Sequence, residues 1–276
     1  MGTIADLQDR PVYGLSQVDR ILGLNSGTAR RWIDGYRRGT KSYPPVVRPE
    51  PTGDDLVTWG EFVETRLLSE YREAGVPLFK MRPVVEMLRA ELDTKYPLAS
   101  ARTWLDVDSR EIVRRAQEAT KLDKRLPLVE VVRTGQTMLE WTAPAQEFAD
   151  SAIWSDQSPD AVLISLRPLP EVPQVLVDPR RSFGEPSVRG VRTDIIGELI
   201  RAGDPPEMIA EMYELEPELV NAAVRYELLR VPQASWSSEI WPLLLGRSGS
   251  MSMKAPSVSA KHSRSHAKTR STSATR

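Results

Sequence analysis

Two stretches near opposite ends of the chain repeat one pattern. A short apolar run at helical spacing is followed by a glycine and then by a second short run at the same spacing. The first covers residues 15–33 and turns at Gly23; the second lies within residues 178–227 and turns at Gly203. A helix, a tight glycine-containing turn and a second helix can lay side chains in the major groove of DNA. With 276 residues, the chain suits two modest domains better than one.

In the first stretch Ser16 reads as an N-cap, with Asp19 in the first turn. Val18, Ile21 and Leu22 share a face, and Gly23 ends the helix. Asn25 or Ser26 is expected to cap a second helix that turns Ala29, Trp32, Ile33 and Tyr36 inward and Thr28, Arg30, Arg31, Arg37 and Arg38 outward. From residue 19 to 48 the basic residues are Arg20, Arg30, Arg31, Arg37, Arg38, Lys41 and Arg48, against Asp19 and Asp34. Residues 43–58 place apolar pieces around a Pro/Gly/Asp turn, which predicts a small hairpin, or wing. Amphipathic helices are then expected over 59–74, with Phe62, Val63, Leu67, Leu68 and Tyr71 inward, and over 80–93.

The middle, residues 95–174, is less patterned. Residues 103–107 look extended, 111–121 helical, and 128–132 either one. Residues 152–154, 161–166 and 172–177 read as strands of a small sheet. Thr193 then reads as the N-cap of a helix over 194–202. A second helix over 206–213 turns Met208, Ile209 and Met212 inward, and a third, over 217–229, starts on Pro217. The fold class is therefore mainly α with a small β component. It divides into an N-terminal winged helix-turn-helix over 1–95, a short central sheet within 96–174, a C-terminal trihelical helix-turn-helix over 175–232, and a tail over 233–276.

Charge is unevenly spread. From Arg247 onward there are seven basic residues and no acidic one, which leaves 30 Lys+Arg against 38 Asp+Glu, a net −8, in residues 1–246. An acidic body is a poor general polyanion binder, so any DNA contact falls to local patches such as the arginine island. Glu207, Glu211, Glu214, Glu216 and Glu218 make the second unit's outer face acidic, which favours protein interaction or dimerisation there.

No cysteine is present, and both histidines, His262 and His266, lie in the last fifteen residues. Thiol and imidazole catalysis, and His- or Cys-ligated metal, are thereby excluded from the body. No Gly-x-x-x-x-Gly-Lys phosphate loop occurs. The expectation is a non-enzyme with no catalytic residues, no metal and no cofactor. No apolar run is long enough to span a bilayer and no secretory signal is visible. A cytoplasmic protein without a membrane partner is expected.

Residues 13–94 resemble a MerR-type winged helix, with a recognition helix ending near Arg30-Arg31-Trp32. They lack the long coiled coil and cysteine-bearing loop of its metal-sensing members. The strand ending in Asp178-Pro179, the run Gly184-Glu185-Pro186-Ser187-Val188-Arg189-Gly190-Val191-Arg192 and the segment Asn221-Ala222-Ala223-Val224-Arg225-Tyr226 resemble a bacterial family of antitoxin-like domains. Together the two halves resemble a VapB-type antitoxin of the mycobacterial kind. The resemblance implies a homodimer that binds a cognate VapC-type PIN-domain ribonuclease toxin and represses its own promoter. Operator DNA would be met by Thr28, Arg30, Arg31, Arg37, Arg38, Lys41 and Arg48. The toxin would be met by an apolar strip, Trp236, Ile240, Trp241 and Leu244, flanked by Arg230 and Arg247. The alternative is a stand-alone MerR-like transcriptional regulator whose middle region binds a ligand.

Overall fold

The computed structural model describes residues 7–73, 81–105, 109–121, 127, 129–133, 138–156, 158 and 161–230. Strand β1 (Pro11–Gly14) leads into helix α1 (Leu15–Ile21), and α2 (Thr28–Ile33) follows across a six-residue turn. The Gly14 N–H, not a Ser16 side chain, marks the start of α1, donating to Gln17 Oε1 at 3.3 Å. Gly23 ends α1 at φ +64°, so the Leu24 and Gly23 amides return to the Asp19 and Arg20 carbonyls.

The segment after α2 differs from expectation. Tyr36, Arg37 and Arg38 do not continue the helix; they form β2 (Tyr36–Arg38), which pairs antiparallel with β3 (Lys41–Tyr43). The hairpin expected over 43–58 does not form. Its far side, β4 (Leu56–Thr58), pairs with β1 instead. The cause is local. Gly35 stands at φ +75°, where a Cβ would lie 2.6 Å from the Tyr43 carbonyl oxygen. Only glycine lets the chain leave α2 against β3 at this point.

Helix α3 (Trp59–Glu73) runs through the middle of the protein. Its apolar face is the expected one, but its polar residues Glu61, Glu64, Thr65, Arg66 and Ser69 are buried too. Neighbours cover it all round. Gly60 carries the Tyr96 ring, which a Cβ would meet at 2.5 Å, and Trp59 Nε1 donates to the Leu163 carbonyl at 2.7 Å. Tyr13, Phe62 and Trp59 stack in series with centroids 4.5 and 5.4 Å apart. Side chains of this size contribute about 1.5–3 kcal/mol each when fully buried.

A 3₁₀ turn (Pro97–Ala99) packs against α3, and helix α4 (Arg82–Glu91) packs against that turn. Residues 103–105 lie in helix α5 (Ala101–Leu105), not in an extended segment. Trp104 decides this: its Nε1 donates to the Leu98 carbonyl at 2.8 Å and its ring packs on Trp141 and Phe148. Helix α6 (Ser109–Ala119) follows as expected, and β5 (Val129–Arg133) settles the ambiguous 128–132 run by pairing with β6 (Met138–Trp141). Helix α7 (Ala143–Ser151), against α3, has no counterpart in the sequence reading. Then β7 (Ala152–Trp154) pairs with β8 (Leu163–Leu166). The third strand, expected over 172–177, is reduced to single bridges from Val177 to Leu166 and from Leu176 to Ser187. The centre thus holds two separate strand pairs.

The C-terminal part opens with a two-residue hairpin, β9 (Ser187–Val188) and β10 (Val191–Arg192), turning through Arg189 and Gly190 at φ +48° and +90°. Three helices follow: α8 (Thr193–Ala202), α9 (Pro206–Met212) and α10 (Pro217–Arg230). Thr193 is buried inside α8 rather than capping it, with Oγ1 donating to Glu227 at 2.6 Å. Ile196, Ile200, Ile209, Val220, Ala223, Val224 and Tyr226 are buried. Met208 and Met212, expected inside, are 49% and 56% exposed, because Ile209 and Ala210 already supply the buried side of this short helix. The described protein is mainly helical with short two-stranded sheets.

Candidate nucleic-acid interface

The α1–α2 turn is fixed from inside by Asp19. Its Oδ2 accepts the Gly27 N–H and its Oδ1 the Ala29 N–H, both at 2.7 Å. Two amides at the start of α2 are thus satisfied by a residue in the preceding helix, not by Asn25 or Ser26 side chains. Ala29 and Ile33 are fully buried and Trp32 nearly so. The Trp32 carbonyl accepts the Val46 and Val47 amides, tying α2 to the segment behind the hairpin.

A second clamp lies at the end of α2. Asp34 accepts the Thr52 amide at 2.6 Å, the Gly53 amide at 3.0 Å and Arg48 Nη1 at 3.0 Å. Arg48 also gives Nε to Glu61 Oε1 at 2.7 Å, Nη1 to Thr52 Oγ1 at 2.6 Å and Nη2 to the Leu56 carbonyl at 2.6 Å. Burial works against the Asp34 charge, but the Thr52 amide and the Arg48 guanidinium outweigh it and hold the carboxyl below its ordinary range. Burial likewise disfavours the Arg48 cation, and Glu61 and Asp34 more than restore it.

Five of the seven residues expected to meet DNA are on the surface: Arg30, Arg31, Arg37, Arg38 and Lys41. Arg30 forms an exposed ion pair with Asp55, and Arg31 Nη2 donates to Thr28 Oγ1 at 2.9 Å. The pairing Arg38↔Lys41 and Tyr36↔Tyr43 puts these four on one face of the hairpin, with Arg37 and Ser42 on the other. The Tyr36 and Tyr43 rings stack at 4.5 Å, 4° from parallel, and Lys41 Nζ lies 5.0 Å from the Tyr43 centroid. The remaining two residues are inside. Thr28 is fully buried, and Arg48 is 7% exposed with its donors spent on the clamp. Sequence reasoning placed Asp19 in the first turn of α1, counted Asp34 only as a charge and turned Tyr36 inward; it missed the two carboxylate clamps and the stacking of Tyr36 on Tyr43. The tyrosines had a signal in the Tyr-Arg-Arg-Gly-Thr-Lys-Ser-Tyr symmetry about Gly39-Thr40.

Of the expected toxin-contacting residues, Arg230 closes α10. It donates to the Tyr226 hydroxyl, and its guanidinium lies 5.0 Å from that ring's centroid. Trp236, Ile240, Trp241, Leu244 and Arg247 lie outside the described residues. A groove of about 490 Å³ runs between the end of α1 (Ile21 to Gly23), Arg66 and Glu70 of α3, residues 168–171 and the end of α10. Among the described residues, no group of three or more acidic or histidine side chains could hold a metal ion, and no helix is long and apolar enough to cross a membrane.

Residues 175–226 match a family profile described as "Protein of unknown function (DUF433)". The chain is 36% identical over 229 residues to the "Uncharacterized protein Rv2308" of Mycobacterium tuberculosis, spanning 81% of this chain and 93% of that one. It belongs to the same family as that protein. The "Putative antitoxin VapB45" of the same organism is 29% identical over 233 residues, spanning 78% of this chain and 93% of the relative. The crystal structure of Rv2018 from M. tuberculosis shares the fold, with a TM-score of 0.60 and 24% identity over 78% of this chain and 98% of that one. Of the two sequence relatives, one is described as uncharacterized and the other is named a putative antitoxin.

Proposed function

We propose that this chain is the antitoxin of a type II toxin–antitoxin system. In this reading it silences a VapC-type PIN-domain ribonuclease by occlusion and, as a cytoplasmic homodimer, represses its own promoter. It carries out no catalysis of its own. Helices α1 and α2 with the 36–43 hairpin work as a winged helix-turn-helix. Arg30 and Arg31 on α2 face the bases or their phosphates, and Arg37, Arg38 and Lys41 on the hairpin grip the backbone. Thr28 and Arg48 hold that surface in place from behind. The observation that carries the reading is the division of the expected DNA-contacting residues: Thr28 and Arg48 are buried and brace, whereas Arg30, Arg31, Arg37, Arg38 and Lys41 are exposed, with Arg38 and Lys41 on the face of the stacked tyrosines. The exposed Arg30–Asp55 pair is no obstacle, since such pairs are worth about 0–1 kcal/mol and yield to phosphate. The antitoxin-named relative supports the toxin partner in general. Arg230 and the apolar strip beyond it are assigned to the toxin.

The test is a search for a PIN-type protein encoded beside this chain and co-expression with it, combined with a gel-shift titration on the chain's own promoter. Rescue of growth and co-purification are expected, together with a salt-sensitive shift. A toxin that stays lethal and separates from this chain would end the antitoxin reading.

One observation favours the alternative, a regulator controlled by a small ligand. The groove is of ligand size and touches Ile21, Leu22 and Gly23, at the turn that orients α2. A ligand found there that changes operator affinity without any toxin present would support it.

A further inference from the structure

The C-terminal part carries two surface patches of opposite character. The first is a rigid loop. Phe183 is 85% exposed, and it and Ser182 both adopt left-handed backbone, at φ +55° and +50°. Such conformations are uncommon outside glycine and persist only where the surroundings impose them. Here the imposing contacts are plain. The Tyr13 hydroxyl donates to the Gly184 carbonyl at 3.1 Å, and a Cβ on Gly184 would meet that hydroxyl at 2.5 Å. The next residue, Glu185, is buried and held by Gln17 Nε2 at 2.7 Å and Arg20 Nη2 at 2.5 Å. Ser182 Oγ donates to the Gly190 carbonyl at 2.6 Å, which fastens the loop to the β9–β10 turn and its exposed Arg189. Arg181, two residues before the ring in the same loop, is exposed as well. The result is an aromatic ring held out in water on a loop and turn that also carry two exposed cations.

The second patch is the outer side of α9. Met208 and Met212 stand in solvent, with Glu207 and Glu211 exposed alongside them. Among the described residues, Arg181, Arg189, Glu207 and Glu211 have no ion-pair partner. One patch therefore offers an aromatic ring and two unpaired cations. The other offers two thioethers and two unpaired carboxylates.

We propose that these patches are the two halves of one interface between copies of this chain. The Phe183 ring of each copy lies between Met208 and Met212 of the other, and Arg181 and Arg189 face Glu207 and Glu211. Methionine sulfur against an aromatic ring is a favourable contact, and arginine–carboxylate forks fix its register. An exchange in which loop meets helix twice closes on itself as a two-fold dimer. This deepens the homodimer reading above and rests on it. Nucleic acid is the poorer occupant of the combined surface, because the α9 carboxylates repel phosphate.

The test uses the full chain alone, in sedimentation velocity across a concentration series. Wild type is expected to be a dimer. The doubly reversed loop variant (Arg181→Glu with Arg189→Glu) and the doubly reversed helix variant (Glu207→Arg with Glu211→Arg) should each dimerise more than about tenfold more weakly. The circular dichroism spectrum should be unchanged, because all four sites are exposed. An equimolar mixture of the two variants should recover the dimer, since every reversed charge then meets its opposite. A wild-type monomer would overturn both the homodimer reading and this interface. A dimer indifferent to both reversals, or variants that weaken but do not rescue each other, would overturn the interface alone. So would a loop variant that stays dimeric and loses only its operator shift.

Discussion

Arg48 and Asp34 meet at 3.0 Å with both side chains almost closed to solvent. Glu61 takes the other edge of the same guanidinium at 2.7 Å. The triad joins the end of α2, the loop after the hairpin and the start of α3. Removing the cation leaves two buried carboxylates without it, which costs about 3–5 kcal/mol in comparable cases. Arg48→Met should therefore lower stability by roughly that amount in urea unfolding, and abolish any DNA shift only because the fold fails. The depressed Asp34 carboxyl contributes stability that is present above its unfolded pKa and is lost as pH falls through its lower folded value. Acid unfolding of wild type should show this loss at the lower end of the carboxylate range, and the Arg48→Met chain should show less of it, because the Thr52 and Gly53 amides still hold the Asp34 carboxylate.

The outer cations should behave oppositely. Alanine at Arg37, Arg38 or Lys41 should change stability by no more than about 0.5 kcal/mol. Removing one bond to a phosphate should flatten the dependence of log K on log salt by about 0.9. Alanine at Arg30 or Arg31 should cost about 1–3 kcal/mol for each that reads a base. Gel-shift titrations at several salt concentrations separate phosphate bonds from base reading. Unaltered affinity in all five variants would remove this surface from DNA binding.

Gly35→Ala should be disproportionately damaging for so small a change. The new methyl meets the Tyr43 carbonyl at 2.6 Å on a backbone already at φ +75°. A loss of about 1–3 kcal/mol is expected. Amide exchange should quicken across β2 and β3 more than in α8 and α10, which the substitution does not touch.

Glu64 lies fully buried in α3; Oε1 accepts the Leu98 amide at 2.9 Å, and Oε2 has no partner. Burial pushes its pKa up to about 8, partly offset by the Leu98 amide and by Arg89. The folded chain therefore holds a proton that the unfolded chain releases near pH 4.5. Stability should fall by several kcal/mol as pH rises from about 4.5 to 8, because each tenfold difference in proton affinity is worth about 1.4 kcal/mol. Glu64→Gln should match wild type at pH 5 and exceed it at pH 9 in chemical unfolding. Equal stability at both would mean that the carboxyl ionises inside the protein without cost.

Local chemistry made much of this molecule legible in advance. Apolar spacing outlined α1, α3, α4, α8 and α10, Gly23 and Gly203 ended helices where expected, and Pro217 began one. These signals act within a few residues, so a linear reading reaches them. The island of basic residues was equally plain, but its division was not. Whether an arginine braces or faces water depends on carboxylates brought to it by folding, and Asp34 and Glu61 lie 14 and 13 positions from Arg48. The same holds for residues 36–38, helical by composition but paired into a strand by residues 41–43, and for 103–105, made helical by what Trp104 touches. Propensity differences of a few tenths of a kcal/mol per residue yield to burial and to charge pairing worth several times more. Only the tertiary structure decides which side chains are buried and which charges meet.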